Sequence, residues 1–486
     1  MQLPAPASLS RVAVLADDLT SAGDGAAPFR RAGHAARVLP AGTDLEGVAE
    51  ESGVLAVDLG SRLLGEAAAV ARTRGAARVL AGADLVLKTV DSTLRGHVAA
   101  ELRAAREASG RRAVLVAPAF PAEGRTTVAG VQYVHGVRVD ASDFARDPVH
   151  PVRTADLTRL LPEAILVEPH GPAGAEPAER EGRRPGDDPA GRRAESRAGG
   201  AGLSARAGHA ERQGRAVGDG LPDPYGQAGR RTESRADRDG HAGSARPGRV
   251  LRSDGTAGLD ALPGLLAAGG LVVCSAATDA ELDRIVAAVP DPREVLWVGS
   301  PGLAAALARR HPRTPAVPPG RLPAAARPLI AVGSANPATR RQLARLTAEP
   351  GTAAAVADDP EAAAGKLRAA EAPVRILHTP EERLADPDEL TARLASAAAR
   401  LAADGSVDGL VLTGGATAEA VLRALGAQGI RLHDEPEPGV ARGVLLAPAP
   451  ARTPVPVLIK AGGFGDEDTL LRLCALLRAG GGHDSR

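Results

Sequence analysis

The chain has 486 residues, more than a single hydrophobic core ordinarily organises, so two α/β domains are the expected arrangement. Lys+Arg and Asp+Glu each total 59; this zero formal charge gives no basic excess for nucleic acid or an anionic membrane surface, and a small molecule is the expected partner. Two cysteines, Cys274 and Cys474, exclude a disulfide framework. The first residues lack the basic start and apolar core of a leader, and no run nears the roughly 18–20 apolar residues of a membrane span, so a cytoplasmic protein is expected.

In chain order, the first apolar run, Arg11 to Ala16, ends in Asp17, Asp18 and Thr20 and then a glycine-bearing turn, the pattern of a buried strand feeding a helix. The rhythm recurs at Gly53 to Asp58, Asp84 to Lys88 and Ala113 to Pro118, with alanine- and arginine-rich helical stretches between. Alternating strands and helices predict a mostly parallel sheet covered on both faces. Ligands of such sheets bind beyond the carboxyl ends of the strands, where Asp17 and Asp18, Asp58 to Arg62, Lys88 to Arg95 and Pro118 to Arg125 would gather.

Residues 171–250 break the pattern, with 15 arginines but only Leu203, Val217, Leu221 and Val250 as aliphatics. A stretch so poor in apolar surface cannot offset its ordering entropy and is expected to be a disordered insertion. Strand-like runs return at Gly270 to Cys274 and Val295 to Ser300. A second unit over about residues 325–480 carries further runs at Pro328 to Ser334, Val374 to His378, Gly409 to Thr413 and Val455 to Lys460. Two three-layer αβα domains with mostly parallel sheets are therefore predicted. The first covers residues 1–170 and resumes over about 251–310.

Three loops of the second unit share a design in which an apolar strand stops at small residues and a helix follows. They are Gly333 to Pro337, Thr413 to Thr417, and Lys460 to Gly465. Glycines let backbone approach a phosphate closely, and helix N-terminal amides attract negative charge. Lys460 opens the third loop and is one of only three lysines, with Lys88 and Lys366. The surroundings of Lys366 lack the glycine spacing and Ser/Thr of a P-loop, which places it on a helix surface.

In the first unit, Lys88, Asp91, Ser92, Thr93 and Arg95 bring a cation, an acid, two hydroxyls and a guanidinium together just after a strand. A sugar acid needs those partners, arginine or lysine for its carboxylate and Asp, Ser or Thr for its hydroxyls. The bland alternative is a helix start capped by one of the same residues. Asp17 and Asp18 pose the same choice between a cap and a carboxylate that orients a hydroxyl or takes its proton. Asp18 and Asp91 are both candidates, and spacing does not rank them. No histidine pair has zinc-ligand spacing with a third ligand nearby, so no protein-held metal centre is predicted.

These residues resemble the four-carbon acid sugar kinases. The matching runs are Ala16 to Thr20, Lys88 to Gly96, Ala117 to Thr127, Asp147-Pro148, Val298 to Leu303, Gly333-Ser334, Thr413 to Ala418 and Lys460 to Gly465, in the family's order over about 400 residues. The resemblance implies a sugar-acid-binding N-terminal domain, a nucleotide-binding C-terminal domain and an active site in the cleft between them. It implies that ATP meets Ser334, Gly414, Gly415, Ala416, Thr417, Lys460, Gly462, Gly463 and Gly465. The acid would meet Asp17, Asp18, Arg62, Lys88, Asp91, Ser92, Thr93 and Arg95, with Asp18, Asp91 and Lys88 as catalytic groups. The C4 hydroxyl of a threonate, erythronate or 3-oxo-tetronate is the implied acceptor, with Mg²⁺ on the nucleotide phosphates. The chain departs from the family's usual pattern at Ser21 (usually Gly), Ala416 (commonly Asp) and Cys274-Ser275 (often Asp-Ala).

Two rival functions remain at this point, a dinucleotide-dependent dehydrogenase and a sugar-acid sensor without turnover. The first is disfavoured because Asp17 and Asp18 stand where a glycine-rich pyrophosphate turn belongs. A homodimer is expected only from the commonness of closed pairs.

Overall fold

The computed structural model describes residues 9–147, 150–169, 256–380, 386–446 and 454–481; the insertion at 171–250 lies outside them. The first lobe contributes strands β1 (Arg11–Ala16), β2 (Ala36–Leu39), β3 (Gly53–Asp58), β4 (Leu85–Thr89) and β5 (Ala113–Ala117). A small separate sheet follows, β6 (Arg125–Val128), β7 (Val131–Val134) and β8 (Val137–Arg138), and then β9 (Ile165–Glu168), β10 (Ala257–Gly258), β11 (Leu271–Cys274) and β12 (Val295–Gly299). Its helices are α1 (Leu19–Arg31), α2 (Glu66–Val79), α3 (Val98–Ser109), α4 (Leu157–Leu160), α5 (Leu262–Ala267), α6 (Asp279–Ala287) and α7 (Pro301–Arg310).

The second lobe holds strands β13 (Pro328–Val332), β14 (Thr352–Val356), β15 (Val374–His378), β16 (Gly409–Thr413), β17 (Gly429–Glu437), β18 (Val440–Leu446) and β19 (Pro456–Lys460). Its helices are α8 (Pro337–Thr347), α9 (Pro360–Ala369), α10 (Pro387–Ala403), α11 (Gly415–Ala424) and α12 (Thr469–Ala479).

The fold is α/β with a mostly parallel sheet, as the alternation of apolar runs and helical stretches predicts. The structure adds that the two parallel blocks are joined. Among the described residues one 16-stranded sheet runs β10-β9-β11-β5-β12-β4-β1-β3-β2-β17-β18-β19-β16-β13-β15-β14. The join is a short antiparallel ladder, Val38 opposite Ile430 and Arg37 opposite Arg431. The hairpin β17–β18 supplies it, and β18 then pairs antiparallel with β19 to meet the second parallel block. This hairpin is absent from the sequence reading because β17 carries Arg431, His433, Asp434, Glu435 and Glu437 among its apolar residues.

Strand alternation sorts the core. Ala13 and Leu15 of β1 pack toward α2 and α3, whereas Val12, Val14 and Ala16 belong to a cluster that continues into the second lobe through Leu329 and Ala331. Helix α1 contributes Leu19, Ala22, Ala26, Ala27 and Phe29 to that shared cluster. Where α1 crosses β18, a Cβ on Gly23 would lie 2.8 Å from that of Ala441, so the crossing needs glycine there. The buried Arg30 then ties α1 to carbonyls of His433 (3.1 Å), His34 (2.7 Å) and Val317 (2.9 Å). The carboxyl ends of β1, β4, β13, β16 and β19 consequently open onto one cleft.

Candidate active site

The cleft has a volume of about 360 Å³ and is lined from both lobes, by Asp18, Arg62, Asp91, Ser92, Thr93 and Arg95 on one side and Ser334, Gly415, Gly462 and Gly463 on the other. A larger hollow of about 580 Å³ lies behind the β17–β18 hairpin, but its walls are mostly alanine, leucine and valine and it gathers none of these loops.

On the first-lobe side, Asp18 both caps α1 and faces the cleft, so the two sequence readings of this residue coexist. Its Oδ1 accepts from the Ser21 amide (2.7 Å) and the Thr20 hydroxyl (2.8 Å). Asp17 is buried just below and takes Arg62 in a two-pronged grip, Nε to Oδ2 at 2.8 Å and Nη2 to Oδ1 at 2.9 Å. Arg62 also pairs through Nη1 with Asp18 and through Nη2 with the Ser21 hydroxyl at 3.1 Å. Ser21, a departure from the family's glycine, thus helps to hold this arginine. Burial opposes the charge on Asp17, but Arg62 and Lys88 outweigh it and hold the carboxyl below its ordinary range.

Asp91 follows the same logic. Burial works against its ionisation, yet Arg95 and Arg62 overcome it and keep the carboxyl strongly acidic. Its oxygens accept from the Thr93 amide (3.1 Å), the Thr93 hydroxyl (2.9 Å) and the Arg95 Nε. Arg95 continues to Asp147 at 3.3 Å and stacks over the Phe144 ring at 5.3 Å.

Lys88 requires a correction, because it does not reach the cleft. The two-residue strand period puts it on the same face of β4 as Val86, toward α3. There its ammonium donates to the Thr89 carbonyl (2.7 Å) and pairs with the buried Glu101 (2.8 Å). Its influence on the site is a buried positive charge beneath Asp17.

On the second-lobe side the three glycine loops touch. A Cβ on Gly333 would sit 2.0 Å from the Thr417 hydroxyl oxygen, and one on Gly462 would sit 2.7 Å from that of Ser334. The carbonyl of Gly462 accepts from the Thr339 hydroxyl, and that of Phe464 accepts from Gln342 Nε2 at 3.0 Å. Gly414 has φ +89° and starts α11, so a side chain would be strained there. Across the cleft, a Cβ on Gly415 would lie 3.0 Å from the Asp18 carboxyl carbon, which keeps the first turn of α11 open against the first lobe.

Gly414, Ala416, Thr417, Lys460 and Gly465 support these loops from behind and do not line the cleft. Lys460 is enclosed, donates to the Ala461 carbonyl at 2.9 Å, and is pushed down to about 8 by burial, with Glu437 opposing. Lys366 is exposed on α9.

Several lining residues carry no assigned role in the sequence reading: Asp24, Phe120, Arg125, Phe144, Asn336 and Phe464. Thr20 and Asp24 stand one helical turn apart on α1, a spacing that could have flagged the second. Burial, with Glu435 and Asp18 nearby, pushes the Asp24 carboxyl well above its ordinary range. Arg125 and Phe464 meet only through the tertiary fold.

These features define a two-lobed α/β protein whose cleft sets a polar, charged face against three glycine loops. A model of a sugar-binding N-terminal domain matches residues 12–170, and one of a nucleotide-binding C-terminal domain matches residues 329–470. The D-threonate kinase of Bordetella bronchiseptica is 33% identical over 489 residues, covering 96% of this chain and 97% of that protein. The D-threonate kinase of Cupriavidus necator is 32% identical over 484 residues, covering 94% and 95%. A Haemophilus influenzae protein of the DUF1537 family shares the fold, with a TM-score of 0.59 at 17% identity over 96% of this chain and 100% of its own. The chain belongs to the four-carbon acid sugar kinase family, a family of small-molecule kinases, and the dehydrogenase alternative falls away. Among the described residues no helix is long and apolar enough to cross a membrane.

Proposed function

We propose that this chain phosphorylates the C4 hydroxyl of a four-carbon sugar acid in the cytoplasm, with ATP as donor and D-threonate as the first acceptor to test. The observation that carries the reading is the contact of Gly415 with Asp18 across one cleft, which sets a phosphate-type loop against a hydroxyl-orienting carboxylate. The relatives matched over nearly their whole length are named D-threonate kinases, which supports the choice of acceptor.

In this reading Arg95, Ser92 and Thr93 hold the acid's carboxylate and hydroxyls. Asp91, kept ionised by its arginines, is a poor proton acceptor and a good hydroxyl anchor. Asp18 orients the attacking hydroxyl and takes its proton. The loops at Ser334, Gly414 to Thr417 and Gly462 to Gly465 cradle the phosphates.

Among the described residues no cluster of three His, Cys, Asp or Glu forms a metal cage. The cleft nevertheless fits Mg²⁺ held mainly by nucleotide phosphates, with Asp24 as the protein carboxylate that makes no hydrogen bond among the described residues. Bound there, the ion would neutralise phosphate charge.

The test is ADP release with Mg-ATP against D-threonate, L-threonate, D-erythronate and 3-oxo-tetronate, run beside Asp91→Asn. Turnover with one acid, reduced about a hundredfold in kcat/KM by the variant, is expected, since the change removes the carboxylate that grips Arg95 in the cleft. Folded protein that binds ATP and an acid without releasing ADP would sink the kinase reading in favour of a sensor.

A further inference from the structure

The cleft holds three arginines, and they are not equivalent. Every guanidinium nitrogen of Arg62 is committed to Asp17, Asp18 or Ser21. Arg95 is gripped by Asp91 and Asp147 and stacks on Phe144, all within the first lobe. Arg125 differs in both respects. Its guanidinium lies 5.4 Å over the ring of Phe464, which belongs to a glycine loop of the second lobe. Its Nε is buried without a hydrogen-bond acceptor, while Nη1 donates to the Glu123 carbonyl (2.7 Å) and carboxylate (3.2 Å).

The backbone around Arg125 is fixed before any ligand arrives. Phe120 and Arg125 exchange amide-to-carbonyl bonds at 2.8 and 3.1 Å. Gly124 between them has φ +68°, and a Cβ there would be 2.3 Å from the His135 ring, so the turn is closed by that imidazole. The Phe464 ring is backed in turn by Gly439, where a Cβ would be 2.8 Å from it. The side chain of Arg125 is 12% exposed, and this held guanidinium still has a donor unused.

A cleft-lining guanidinium whose Nε has no acceptor and whose one paired carboxylate is Glu123 points to an anion. In a kinase reaction only one group must belong to both ligands, the phosphoryl in transit. Arg125 is the cleft arginine that rises from the sugar-acid lobe and rests on the nucleotide lobe. We propose that Arg125 is a catalytic residue that stabilises the transferring γ-phosphoryl group, a cis-supplied arginine held in place by Phe464.

In the step, the bond from phosphorus to the β,γ-bridging oxygen breaks, and its electron pair stays on ADP. The acceptor hydroxyl oxygen forms the new bond to phosphorus and gives its proton to Asp18. Arg125 meets the equatorial oxygens as negative charge spreads over them. The assignment rests on the kinase reading above.

The test uses the full chain as wild type, Arg125→Ala, Arg125→Lys and Phe464→Leu. Wild-type turnover is established first, because its absence with every acid defeats the kinase reading and not the role of Arg125. Arg125→Ala is expected to lose about a thousandfold or more in kcat. The KM for the acid and the dissociation constant for ADP should stay within a few-fold, and added guanidinium ion should restore part of the rate. Arg125→Lys, which keeps the charge and loses the fork, should fall nearly as far and decides the matter should the alanine variant not fold. Phe464→Leu should lose about two- to fivefold in kcat alone. A loss confined to the KM for the acid would make Arg125 a carboxylate clamp, and unchanged kcat in both arginine variants would remove it from the reaction; either result overturns the proposal.

Discussion

Each lobe buries one lysine at the carboxyl end of a central strand, and the two are handled differently. Lys88 and Lys460 are both enclosed, and each donates to the carbonyl of the following residue, at 2.7 and 2.9 Å. Lys88 has a buried carboxylate, Glu101, at 2.8 Å. Lys460 has no ion pair among the described residues, and burial takes it down to about 8. The first lobe thus pairs its buried cation internally, and that cation helps Arg62 to hold Asp17 ionised. The second lobe leaves its lysine to burial and the weaker, distant attraction of Glu437.

The largest break in this comparison should come from Lys88→Met. It strands Glu101, whose Oε1 already lacks a hydrogen-bond partner, as an unpaired buried charge, at a cost of about 3–5 kcal/mol read by urea or thermal unfolding. Adding Glu101→Leu should recover most of that loss; a double variant as unstable as the single one would mean that the pair is not what Lys88 serves.

Lys460→Met should behave in the opposite way. The folded-state value near 8 lies below the roughly 10.4 of an exposed lysine, so the unfolded chain holds the extra proton between those pH values. The penalty on wild type is therefore full below about pH 8 and fades as pH rises toward 10. The methionine variant should match or exceed wild-type stability at pH 7, by up to about 2–3 kcal/mol, and lose that advantage near pH 10. Melts showing no pH-dependent gap would remove the depressed lysine.

The smallest effect is expected from Glu437→Gln. Glu437 is shared with Arg472 and raises Lys460 only by distant attraction. Its loss should move the pH midpoint of that gap downward by a few tenths of a unit, about 0.5 kcal/mol or less.

Much of the fold was legible because parallel strands buried on both faces read as unbroken apolar runs. The runs starting at Arg11, Gly53, Val374 and Gly409 coincide with β1, β3, β15 and β16. The strands that went unread are the short seam strand β2, the short β6 to β10, the alanine-rich edge β14 and the polar hairpin β17–β18, where alternation and tertiary pairing decide. In the site, Asp91 to Arg95 and the glycine loops stood out because chemistry followed directly on a strand end. Lys88 misled for a related reason: proximity in sequence does not say on which face of the sheet a side chain emerges. Arg125 meets Phe464 only where the two lobes come together, and no local spacing encodes that meeting, whereas Asp24 could have been found one helical turn beyond Thr20.

The ladder between Val38 and Ile430 also bears on how the chain is made. β2 is synthesised among the first elements and β17 among the last, so throughout translation β2 has backbone donors and acceptors facing outward with no strand to receive them. Nascent chains halted before Gly429 should pellet or recruit a chaperone, and those released after Leu446 should not, as a sedimentation assay of stalled translation would report. The seam that unites the finished enzyme thus stays open until almost the last strands of the chain are made.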